Sequence, residues 1–245
     1  ASNKIDVAKL YQQMTTTFHF RATGISIDFD TFAQPFLNNE PPEERVYNLL
    51  RHHFKLTKNT SITWIEHTPH NRERVRLYQS IFPKAKFIHI MRDPRAVYSS
   101  MHKLARWNSN DPLAFANKWK ASMTYSFLAK SQLERSCFEL RYEDYILNQD
   151  KKLSELCSFI GFDYDKKMKD SGGISLPEYT LKQHSLVGKS VNVDRIDAWK
   201  NNITTREAEL ITWSCLPWLL HYHYCDGNEV VRPAKKFESL KFKVK

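Results

Sequence analysis

The stretch Lys86-Phe87-Ile88-His89-Ile90-Met91 is apolar at four of its six positions and runs straight into Arg92-Asp93-Pro94-Arg95. Two hydroxyls, Ser99 and Ser100, follow one to two helical turns later. An arginine at the carboxyl end of a parallel strand lies where ligands of α/β sheets bind. Pro94 suits the first turn of a helix, where its missing N–H costs nothing. Free N–H groups at such a helix start attract an anion. The Arg92 guanidinium adds a planar, bidentate donor, and Ser100 can add a hydroxyl. The pattern suits a phosphate. A capped helix whose arginines form surface ion pairs satisfies the same pattern, so the motif alone leaves both readings open.

The elements around this stretch are read from periodicity. The segments KIDVAKLYQQM, EERVYNLLRHHFKL, NRERVRLYQSIF, PRAVYSSMHKLARW, DPLAFANKWKASMTYSFLAKSQ, DKKLSELCSFIGF and TTREAELITWSCLPWLLHYH predict helices. Between the first two, ATGISIDFDTFAQPFLNNEPPEE alternates and then breaks at prolines. Ser61–Ile65, PKAKFIHIM and CFELRYEDY predict strands. Short strands alternating with longer helices indicate an α/β fold with a parallel sheet. Residues 170–200 read as a long surface loop of the kind that covers a binding site.

Composition narrows the class. The chain has 245 residues, 41% hydrophobic and 13% aromatic, which is enough for a sizeable core. A net charge of +10 favours anionic partners. No long basic block, zinc pattern or RNA-recognition motif supports nucleic acid as that partner. No run approaches a membrane span, and no secretory leader is visible. Four scattered cysteines, none in CxxC spacing, argue against a metal site and a disulfide scaffold. A reduced, cytoplasmic chain is expected; the alternative is the Golgi lumen, had an N-terminal anchor been removed. The dense basic run RPAKKFESLKFKVK reads as an exposed tail over 231–245.

FPKAKFIHIMRDPRAVYSS closely resembles the 3′-phosphate-binding segment of the sulfotransferases that use 3′-phosphoadenosine 5′-phosphosulfate. WIEHTPHN resembles that family's strand-end segment, commonly Glu/Asp-Lys-Thr-Pro. LRYEDY is similar to its third strand, and HSLVGKSVNVDRIDAWKNNIT to the loop that folds over the nucleotide. The four segments come in the family's order and cover roughly residues 60–222, with the flavour of the tyrosylprotein, bacterial saccharide and polyketide-linked branch. The resemblance implies a three-layer sandwich around a central parallel sheet, similar to P-loop nucleotide hydrolases, in one domain over 1–230. It implies sulfuryl transfer from that donor, leaving adenosine 3′,5′-bisphosphate, to a hydroxyl-bearing acceptor, with a saccharide or other small molecule favoured, no metal and no nucleic acid. The alternatives are a non-catalytic nucleotide-binding relative or a module of a larger assembly and, behind these, a basic nucleic-acid-binding protein.

The same resemblance assigns residues. Arg92 and Ser100 match the 3′-phosphate pair, Tyr142 the position that touches nucleotide, and Lys189 a loop lysine reaching the phosphates, with Ser190 beside it. His67 stands where relatives carry a catalytic lysine. As a neutral imidazole it takes the acceptor's proton; charged, it stabilises the bridging oxygen. Glu66 is either the base or the group that orients His67. His70, His19 and Arg21 fall where relatives meet acceptor, and Asn71 equally suits a helix cap. One departure matters. The family's 5′-phosphosulfate loop, similar to Pro-Arg-Ser-Gly-Thr-Thr, has no counterpart in the sequence, and Arg21-Ala22-Thr23-Gly24 is too poor a match. The expectation is that the quoted chain omits that loop and its strand; a degenerate, binding-only relative is the competing account.

Overall fold

The computed structural model describes residues 6–17, 25–67, 71–102, 111–170, 192–229, 231–235 and 238. Its contacts divide the chain into two compact units, Ala1–Pro83 and Lys84–Lys245.

The described part of the first unit is helical. Helix α1 (Val7–Thr16) starts at Asp6, whose carboxylate accepts the Lys9 N–H. Helix α2 (Phe29–Leu37) starts at Asp28, whose carboxylate accepts both the Thr31 N–H and its hydroxyl. The alternation read over this stretch gives way to a helix, in keeping with the mostly helical reading of residues 1–60. Asp28 nucleates that helix, and the helix tolerates Pro35. Tyr11 joins the two helices: its ring meets Phe29 and Phe32 at 5.4 Å, and its hydroxyl donates to the Ile27 carbonyl. Helix α3 (Pro42–His53) has Glu43 and Glu44 in its first turn and Arg51, His52 and His53 in its last, complementing the helix dipole. A 3-10 turn (Asn71–Arg74) leads into α4 (Val75–Ile81). Tyr47 and Trp64 both set their rings edge-on to Phe82.

The expected strand Ser61–Ile65 is not formed. Residues 61–67 run as irregular chain, and Ile65 is 83% exposed. β-branched composition prepares a segment for a strand, but a strand exists only against a partner ladder. No described segment pairs with this one.

In the second unit, β1 (Phe87–Met91) and β2 (Cys137–Arg141) pair in parallel, from Phe87 opposite Cys137 to Met91 opposite Arg141. Between them come α5 (Pro94–His102) and the long α6 (Pro112–Leu133), capped by Asp111. After β2 come α7 (Tyr142–Leu147) and α8 (Gln149–Ile160), the latter closed by Gly161 at φ 90°, a left-handed value that favours glycine. Helix α9 (Thr205–His221) opens with a capping box between Thr204 and Glu207.

One sheet face meets α6 and α9, where Met91 packs with Met123 and Tyr222. Tyr98, Phe115, Ala116, Ile211, Cys215 and Leu219 continue this core between α5, α6 and α9. On the other face Phe138 meets Phe159 of α8, the two rings tilted by 36° with centroids 5.3 Å apart. The order helix, sheet, helix is the α/β sandwich expected. Helix α8 covers the β2 side of that face, while Ile88 and Ile90 of β1 are 40% and 64% exposed. The start of the basic tail is not free. Arg206 binds Glu238 and the carbonyls of Arg232 and Pro233, and Arg232 pairs with Glu209.

Candidate functional site

The parallel register decides what meets at the sheet's carboxyl edge. With Met91 opposite Arg141, the next residues along each strand, Arg92 and Tyr142, become neighbours, and so do Asp93 and Glu143. The Arg92 guanidinium lies over the Tyr142 ring at 4.4 Å. Its Nη2 donates to the Arg195 carbonyl at 2.9 Å. Its Nε is buried with no hydrogen-bond partner among the described residues. Arg92 and Tyr142 are both half-buried. Tyr142 is not the strand residue that its sequence context suggests: β2 ends at Arg141, and Tyr142 opens α7.

Asp93 and Arg95 lock the start of α5. Asp93 Oδ1 accepts the Arg95 backbone N–H at 2.8 Å, and both carboxylate oxygens bind the Arg95 guanidinium, the shortest contact 2.7 Å. The pair is buried, so Arg95 is not a surface arginine. Its Nη2 also donates to the Tyr224 carbonyl, and its Cζ lies over the Trp199 ring at 4.4 Å. The free amides expected at this helix start are therefore partly engaged. Pro94 has none, and the Arg95 N–H already holds the protein's own carboxylate. Ser99 is buried within α5 and Ser100 half-buried.

Glu143, which sequence reasoning did not single out, closes the arrangement. Its Oε1 accepts the Asp93 N–H at 3.0 Å across the sheet edge. Burial is the largest influence on its carboxyl and pushes its pKa up. Behind the edge, Arg141 donates to Asp144 and to the His223 carbonyl, and lies over the Tyr224 ring at 4.7 Å. Burial raises the pKa of the Tyr224 phenol. On the strand face below, His89 Nδ1 lies 3.6 Å from Glu139 Oε1, and Lys130 pairs with the other oxygen. These two neighbours, His89 first, hold the Glu139 carboxyl down to about 2 against the opposing effect of burial.

Glu66 and His67 belong to the first unit, and both are exposed. Asn71 is not a cap: its amide donates to Glu66 Oε1 at 3.2 Å and its carbonyl oxygen accepts the Tyr78 hydroxyl at 3.1 Å. His19, Arg21, His70, Lys189 and Ser190 lie outside the described residues. The structure thus brings Arg92 and Tyr142 together and carries Ser100 on the helix that follows Arg92. Among the described residues no three His, Cys, Asp or Glu side chains cluster as metal ligands, and no helix is long and apolar enough to cross a membrane. All four cysteines are free thiols.

Comparison with known proteins gives this edge a context. Residues 8–166 match the Sulfotransferase family. Protein-tyrosine sulfotransferase 1 of Danio rerio is 25% identical over 134 residues, covering 50% of this chain and 38% of its own. The chain spans about a third to a half of the length of the curated relatives it matches. Among solved structures, the sulfotransferase domain of the Synechococcus PCC 7002 olefin synthase superposes with a TM-score of 0.62 at 18% identity, over 90% of this chain and 81% of that one. The sulfotransferase domain from the curacin biosynthetic pathway gives 0.51 at 17%, over 84% and 77%. These likenesses establish the fold.

Proposed function

This chain belongs to the Sulfotransferase family, and we propose that its sheet edge binds the 3′-phosphate of 3′-phosphoadenosine 5′-phosphosulfate for transfer of the sulfuryl group to an acceptor hydroxyl. The observation that carries the reading is Arg92. Its guanidinium lies over Tyr142 at the end of a parallel strand, with Nε buried and unpartnered among the described residues. A buried donor without an acceptor suits an arriving phosphate oxygen. Tyr142 packs against the guanidinium, and Ser100 adds a hydroxyl from α5. Lys189 and Ser190 are proposed to reach the same nucleotide, as the resemblance implies.

The donor, when bound, supplies an activated sulfuryl group on a phosphate leaving group. The chain's own residues must then manage one proton and the growing negative charge. His67 either accepts the acceptor's proton or, if charged, neutralises the bridging oxygen. Glu66 serves as the alternative base or orients His67. His70, His19 and Arg21 are proposed to meet the acceptor. We favour a saccharide or small-molecule hydroxyl; the Danio rerio relative, named for protein tyrosine, makes a tyrosine the first alternative to test. The four free thiols suit the cytoplasm, with the Golgi lumen as alternative. A second reading, nucleotide binding without catalysis, is favoured by one observation: no string like Pro-Arg-Ser-Gly-Thr-Thr occurs in the sequence.

Calorimetry with adenosine 3′,5′-bisphosphate, and adenosine 5′-monophosphate as control, tests the binding site. Micromolar binding that requires the 3′-phosphate is expected, and Arg92→Ala should weaken it about tenfold to a hundredfold, the worth of a charge-assisted hydrogen bond. Equal affinity for the two nucleotides would overturn the reading. For catalysis, His67→Ala should lower turnover while leaving the bisphosphate Kd unchanged; wild-type turnover would leave His67 a structural residue.

A further inference from the structure

We infer that Glu143 is a positioning residue for the phosphate site: it clamps the Asp93 amide across the sheet edge and thereby sets the direction in which Arg92 leaves β1. This inference rests on the proposed nucleotide site and goes beyond it, because Glu143 touches neither phosphate nor acceptor in that reading.

The argument begins with backbone freedom. β1 ends at Met91, and α5 begins at Pro94. Arg92 and Asp93 are therefore the only two residues between a strand and a helix, and the orientation of Arg92 depends on how that joint is held. The Asp93 N–H is a buried donor at the joint, and such a donor demands an acceptor. Its partner is no neighbouring carbonyl but the Glu143 Oε1, fifty residues away in sequence and 3.0 Å away in space. Glu143 can reach it because the strand register places Tyr142-Glu143 directly beside Arg92-Asp93.

One dipeptide thus grips the other twice. Tyr142 lies under the Arg92 guanidinium, and Glu143 holds the following amide. A carboxylate is an unusual choice for this task. Glu143 is only 6% exposed, and its second oxygen has no hydrogen-bond partner among the described residues. Asp93, another carboxylate, stands nearby, and burial already disfavours the charge. A residue chosen for packing alone would be apolar here. An acidic side chain at this cost is explained by the single hydrogen bond that its reach allows.

The test compares Glu143→Gln, which keeps an acceptor oxygen on the same stem, with Glu143→Ala, which removes it. Ile211→Ala, in the fully buried core of α9, supplies a control destabilised without touching the joint. Two readouts are taken: hydrogen exchange of the Asp93 amide without ligand, and the ratio of Kd values for adenosine 5′-monophosphate and adenosine 3′,5′-bisphosphate. In Glu143→Ala the Asp93 amide should exchange at least tenfold faster, and the preference for the 3′-phosphate should fall at least tenfold. Glu143→Gln should restore both to within about threefold of wild type. Ile211→Ala should lower Tm yet keep the nucleotide ratio. Wild-type protection and preference in Glu143→Ala would overturn the inference, as would a lost preference in Ile211→Ala equal to that in Glu143→Ala. If the wild-type protein shows no 3′-phosphate preference at all, the nucleotide reading fails. The exchange data then decide the clamp alone, and an unprotected wild-type Asp93 amide would remove that too.

Discussion

Asp93→Ala asks whether charge holds the exit of β1 in place. The Asp93 and Arg95 side chains are each 8% exposed and share a bidentate contact, and the same carboxylate accepts the Arg95 N–H. Removing it leaves a guanidinium in a nearly waterless site. Breaking one partner of a buried pair costs about 3–5 kcal/mol. Arg95 keeps its bond to the Tyr224 carbonyl and its contact with the Trp199 ring, which places this change near the lower end, at about 3 kcal/mol. The lost cap on α5 adds about 1 kcal/mol. The total of about 4 kcal/mol should lower the Tm of the Lys84–Lys245 unit by roughly 8–16 °C, at about 2–4 °C per kcal/mol for a domain of this size. Urea unfolding followed by tryptophan fluorescence measures the change, with Trp199 itself among the reporters. Arg95→Met with Asp93→Ala removes both charges, so the double variant should be more stable than the sum of the two single losses predicts, by at least about 1 kcal/mol. A single-variant loss below about 1 kcal/mol, or strict additivity, would refute the account: the pair would then be solvated or structurally idle.

Two further outcomes follow from the sheet. The Glu139 carboxyl is held at about 2 instead of 4.5, so its contribution is fully present above pH 4.5 and is lost as the pH falls through about 2. That contribution is at most about 3 kcal/mol. Urea midpoints measured between pH 6 and 2 should show a shallower acid limb in Glu139→Gln than in wild type, and parallel limbs would count against the assignment. Tyr142→Ala should weaken bisphosphate binding by about 2- to 30-fold, the range of a cation–π contact worth about 0.5–2 kcal/mol. Tyr142→Phe, which retains the ring beneath Arg92, should stay within about threefold; equal losses in the two variants would point to the hydroxyl instead.

What could be read from the sequence was whatever a single segment decides. The apolar run before Arg92, the presence of a strand in CFELRYEDY and the long helices around them follow from local periodicity, and so does the α/β class; that the strand stops at Arg141 and a helix starts at Tyr142 does not. Even Asp28, whose cap starts α2, was a readable signal that the alternation around it concealed. Two segments meeting left no such mark. Ser61–Ile65 has the composition of a strand, but composition does not supply a ladder partner, and among the described residues it has none. Glu143 is one acidic residue in an acidic first turn of α7 until the register sets it against Asp93.

The start of α5 shows the difference most clearly. Pro94 correctly marked a helix start, and a helix start implies attraction for an anion. What sequence could not show is that Asp93 would itself supply much of that anion, taking the Arg95 amide and guanidinium together. With that amide engaged, the charge left for the proposed phosphate rests chiefly on Arg92. Its position depends on Tyr142 and Glu143, a pair contributed by the neighbouring strand's exit and not by the motif in which Arg92 was first recognised. A variant that preserved the whole Arg-Asp-Pro-Arg string but disturbed the exit of β2 should therefore lose the proposed phosphate site, because in that reading the motif supplies the cation and the register aims it.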